Sequence, residues 1–67
     1  MIHNYLKIYF KENRITQSEI EKLTGIARSK INLTLNGKRK MTADEFLIIA
    51  NKFDLDLNKI KRLNNIE

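Results

Sequence analysis

Sixty-seven residues make one domain, near the lower end of what folds without staples, and the absence of cysteine excludes a disulfide framework or a thiolate zinc site. A hydrophobic fraction of 42% with 31% charged residues is that of an ordinary globular protein, and no apolar run approaches the roughly 18 residues that span a bilayer. The net charge of +5 is unevenly spread: Lys22, Arg28, Lys30, Lys38, Arg39 and Lys40 fall in one stretch without an acid, and the rest of the chain is slightly negative. Such a block is expected of a face that meets a polyanion, either nucleic acid or an anionic membrane.

The N-terminal segment lacks the basic and then apolar pattern of a secretory leader, so a cytoplasmic protein is expected. It reads instead as a helix over about Ile2 to Asn13. Ile2, Leu6, Tyr9 and Phe10 form its apolar face, and Tyr5 and Ile8 widen that face enough to suggest cover on more than one side.

A second helix begins at Thr16. In Thr16-Gln17-Ser18-Glu19 the threonine hydroxyl suits the backbone N–H three residues on, and Glu19 can reach back to the N–H of Thr16, which is a capping box. Ile15 before the cap and Ile20 in the first turn are spaced as a hydrophobic staple. Gly25 ends the helix, since glycine adopts the left-handed conformation at little cost. A helix of about eight residues needs tertiary partners to persist.

The third helix is predicted from about Ala27 to Leu35, stopping at Asn36-Gly37. The fourth opens on another capping box, Thr42-Ala43-Asp44-Glu45, and Phe46, Leu47, Ile49, Ala50 and Phe53 are expected on its buried face. A fifth, capped by Asp56, carries Leu57, Ile60 and Leu63, with Lys59, Lys61 and Arg62 outside. Ordered structure is expected to end near Leu63, with Asn64 to Glu67 frayed. No strand pattern competes, and the expected fold class is all-α.

Two short helices joined by a glycine turn and followed by a basic loop suit a helix-turn-helix, in which one helix holds the other in the DNA major groove. Ile20 and Ile31 answer the contact between the two helices. The strings ITQSEIEKLTGIARSKI, LNGKRK, MTADEFLIIANKF and DLDLNKI closely resemble the lambda-repressor-like family, the Cro/repressor or XRE type of helix-turn-helix domain. The resemblance runs from about Leu6 to Ile60 without a gap in the central motif, with the helix-turn-helix at about residues 16–36. It implies a single five-helix domain over residues 1–67, whose third helix reads base edges while helix two and the following loop grip phosphates.

Carried over by position, the family's phosphate-clamping glutamine matches Gln17, where the helix N-terminus adds backbone donors. Its base-reading positions fall on Arg28, Ser29, Asn32 and Leu33. Helix geometry supports most of this: with Ile31 inward and about 100° per residue, Ser29, Leu33 and Asn36 point away from the core, and Asn32 and Lys30 take opposite flanks. Arginine bonds bidentate to guanine, which suits Arg28 to base reading. Leu33 on an outward face suits a thymine methyl or a protein partner; packing at an edge is its plainer alternative. Phosphate contacts are expected from Gln17, Lys30, Asn36, Lys38, Arg39 and Lys40. Four residues depart from the family: Glu21 where a small residue is common, Ala27 where a capping Ser or Thr is common, Thr34 at an apolar position, and Leu35 at a frequently acidic one.

Catalysis finds little footing. His3 is the only histidine, Ser18 and Ser29 lie within helices without a nearby base, and Asp44 and Glu45 suit a helix N-terminus electrostatically. No enzymatic activity, cofactor or metal is expected. The leading expectation is a transcriptional regulator on a short double-stranded operator, with no room for a sensing domain and with homodimerisation inferred from the family and operator symmetry; Leu57, Ile60, Leu63 and Ile66 suit either a dimer patch or a cap on the core. The alternative is a protein-interaction module on the same scaffold. A membrane binder would need a long basic amphipathic helix, which glycine-punctuated short helices do not supply.

Overall fold

A computed structural model of the chain describes residues 2–53 and 55. They form four helices and no strand: α1 Ile2–Glu12, α2 Gln17–Thr24, α3 Arg28–Leu35 and α4 Ala43–Lys52. The predicted fifth helix and its apolar residues Leu57, Ile60, Leu63 and Ile66 lie outside the described residues. No helix among the described residues is long and apolar enough to cross a membrane.

Each boundary has a local cause. Both capping boxes form: the Glu19 N–H donates to Thr16 Oγ1 at 3.1 Å and the Thr16 N–H to Glu19 Oε1 at 3.2 Å, while Thr42 and Glu45 repeat the exchange at 3.1 and 3.0 Å. Gly25 ends α2 at φ 79°, its N–H bonded to the Glu21 carbonyl at 2.8 Å. The end of α3 is a Schellman turn about Gly37 at φ 73°, in which Lys38 N–H reaches the Leu33 carbonyl and Gly37 N–H that of Thr34. The end of α1 uses the same turn with no glycine. Ile15 N–H bonds the Phe10 carbonyl, Arg14 N–H bonds that of Lys11, and Arg14 itself sits at φ 56°.

Leu6, Phe10, Ile20, Ile31, Leu35, Ile49 and Phe53 form the core, so every helix contributes to it. Leu6 and Ile20 are fully enclosed, and burying a side chain of that size stabilises by about 1.5–3 kcal/mol. Phe10 and Phe53 meet edge to face, 5.1 Å between centroids, joining α1 to the end of α4. Ile15, Ile26 and Met41 close the core from the connecting segments.

Two expected core positions face outward instead. Leu47 is 63% exposed, because Phe46, Ile49, Ala50 and Phe53 share one side of α4 and Leu47 falls about 100° from Phe46, beyond the edge of that side. Ile8 is 56% exposed, since it lies almost opposite Leu6 around α1. Phe46 and Ala50 are half-buried.

Candidate nucleic-acid interface

The eight residues of α3 divide cleanly. Ile31, Thr34 and Leu35 are buried, whereas Arg28, Ser29, Lys30, Asn32 and Leu33 are exposed. Leu33 lies about 160° from Ile31 around the helix and is 42% exposed, so it presents apolar surface outward. Together with Gln17 at the first turn of α2, four of these residues (Arg28, Ser29, Asn32 and Leu33) line one shallow surface groove. Asn32 Nδ2 points to Gln17 Oε1 at 3.5 Å, a long contact that leaves both amides able to take better partners. The groove therefore offers amide and guanidinium groups, a hydroxyl and an apolar side chain within one depression.

The packing behind this surface explains two of the unusual residues. Thr34 is buried at a position expected to be apolar, and its hydroxyl accepts from Arg39 Nη1 at 3.0 Å. Leu35 is buried too, completing the core where an acid would carry an unpaired charge inward.

The basic residues separate into different roles. Arg39 is half-buried and donates to both oxygens of Glu45, at 2.9 and 2.7 Å, so its guanidinium ties the loop after α3 to the first turn of α4. The phosphate role expected of Arg39 thus competes with a structural one. The Arg39 hydrogen bonds, with further help from the Thr42 backbone, lower the Glu45 carboxyl to about 2. Lys38 and Lys40 flank this pair on the same loop and are exposed; among the described residues the ion pairs are Glu21–Arg28 and Arg39–Glu45. Lys30 is exposed on α3.

Asn36 links polar groups of two helices, α3 and α1. Its Nδ2 donates to the Asn32 carbonyl at 2.9 Å and its Oδ1 accepts from Lys7 Nζ at 3.3 Å. Lys7, on α1, brings a further exposed cation beside α3, 29 residues away in sequence. Nothing local in the sequence marks Lys7 for that position. Glu21 is the other residue missed: its carboxylate accepts the Arg28 N–H at 3.0 Å. The absence of a capping side chain at Ala27 was the available signal.

His3 packs against the turn after α3, and a Cβ at Gly37 would lie 2.8 Å from its Nε2. Among the described residues no three His, Cys, Asp or Glu side chains gather into a potential metal site.

No protein-family model, curated protein or solved structure matches this chain.

Proposed function

We propose that this chain is a helix-turn-helix protein of the lambda-repressor-like type that binds double-stranded DNA and regulates transcription. The observation that carries this reading is the shared groove of Gln17, Arg28, Ser29, Asn32 and Leu33, formed by two eight-residue helices that meet across a left-handed glycine. In this reading α3 lies in the major groove. Arg28, Ser29 and Asn32 bond base edges, Leu33 meets a thymine methyl, and Gln17 with the α2 N-terminus holds a phosphate. Lys30, Asn36, Lys38 and Lys40, joined by Lys7, supply the remaining backbone contacts. Arg39 acts chiefly by fixing the loop that carries Lys38 and Lys40. Dimeric binding on a two-fold symmetric operator, in a cytoplasmic setting, completes the proposal.

Titration of labelled duplexes at two salt concentrations tests it. A regulator binds one sequence in preference to others and weakens steeply as salt rises, because phosphate contacts release counterions. Equal, weak binding to every duplex at low salt would favour the second reading, a protein-interaction module. That reading draws on the outward apolar surface of Leu33, which would then meet a protein partner.

A further inference from the structure

Helix α3 starts without a cap of its own. Ala27 occupies the N-cap position at φ −57° and ψ 138° and makes no side-chain capping bond, so the first N–H groups of α3 need acceptors from elsewhere. One comes from the preceding helix. Glu21 Oε2 accepts the Arg28 N–H at 3.0 Å across the α2–α3 crossing, and Glu21 Oε1 lies 3.9 Å from Arg28 Nε. The first distance is a hydrogen bond; the second is a charge contact. One carboxylate thus bonds the backbone of Arg28 and lies beside the side chain of the same residue.

We propose that Glu21 is the positioning residue for base recognition by α3: it caps the helix from outside and aims the Arg28 guanidinium into the groove. This rests on the DNA-binding reading above. With the Nε edge of Arg28 turned to Glu21, the two terminal nitrogens are left to form the parallel pair of bonds that guanine O6 and N7 accept. The charge contact biases this exposed side chain toward the groove without fixing it, which suits a modest contribution to base preference. The carboxylate has a second effect. It opposes nearby phosphates, so any docking in which Arg28 fails to find its base leaves the acid less well compensated, and mismatched sequences are penalised more than matched ones. A small residue at this position would supply neither the cap nor the aim.

Two variants of the full chain separate these roles. Glu21→Gln keeps an oxygen that accepts the Arg28 N–H but loses the charge; Glu21→Ala loses both. Selection from a random duplex pool, run also on Arg28→Ala, identifies the base pair that Arg28 reads. Glu21→Gln is expected to melt close to the wild type and to lose about three- to tenfold of the preference at that base pair. It should also bind unrelated duplexes more tightly, and adding it to Arg28→Ala should change the preference no further. Glu21→Ala should show the same loss of preference together with a lower melting temperature. A wild-type preference that Glu21→Gln leaves intact overturns this inference alone. Absence of any sequence preference in the wild type overturns the DNA-binding reading, and this inference with it.

Discussion

Arg39 holds Glu45 by a two-pronged contact, Nη1 to Oε1 at 2.9 Å and Nη2 to Oε2 at 2.7 Å, while Glu45 Oε1 also accepts the N–H of Thr42. One carboxylate therefore caps α4 and anchors the loop that follows α3. The arginine lies within the chain's basic block, yet its charge is directed inward.

This pair gives the protein an acid-sensitive fastening. The folded-state value of Glu45, about 2, lies below its ordinary 4.5, so its contribution is fully present above 4.5 and is lost as pH falls toward 2. Glu45→Gln should lower the melting temperature at neutral pH. The gap between variant and wild type should narrow steadily between pH 5 and pH 2, where thermal melts followed by circular dichroism would record it. A gap independent of pH would contradict the assignment.

Within the basic surface, contacts to bases and to phosphates should respond differently. Arg28→Ala should relax sequence preference by about 1–3 kcal/mol at one base pair. Lys38→Ala should weaken all duplexes alike and reduce the salt slope by about one. Arg39→Ala should act first on stability, lowering the melting temperature of the DNA-free protein. Binding isotherms at several salt concentrations, paired with melts, distinguish the three.

The end of α1 carries a removable strain. Arg14 adopts φ 56°, in the left-handed region that disfavours residues with a Cβ, and its side chain is exposed. Arg14→Gly should raise stability by about 0.5–1 kcal/mol, the gain being trimmed by the greater freedom of glycine in the unfolded chain. Urea unfolding should show a higher midpoint with an unchanged slope.

The two glycines should not be equivalent. At Gly25 an added Cβ meets nothing within 4 Å, so Gly25→Ala should cost about 1 kcal/mol from backbone strain alone. At Gly37 the same change adds a clash with His3 Nε2 at 2.8 Å and should cost more. His3→Ala should recover part of the loss in Gly37→Ala and none in Gly25→Ala. Equal recovery in both, measured by denaturant unfolding, would show that the His3 contact does not matter.

What the sequence determined by itself is local. Two capping boxes, the left-handed Gly25 and Gly37 and the apolar spacing of Leu6, Phe10, Ile20, Ile31 and Ile49 were all readable, because each depends on residues within about one helical turn of one another. That Ser29, Leu33 and Asn36 point outward, with Asn32 on a flank, followed from the same periodicity once Ile31 was taken as buried, whereas Arg28 was singled out by the resemblance. The angles at which the helices cross were not legible, and they decided the rest. They bring Glu21 to the backbone of Arg28, Lys7 to Asn36, and His3 to Gly37. Arg39 makes the difference plain. Its place in the sequence is that of one more cation in a basic run, but the packing of α4 beneath the loop sets Glu45 against it, and a carboxylate already in position fixes where that guanidinium points.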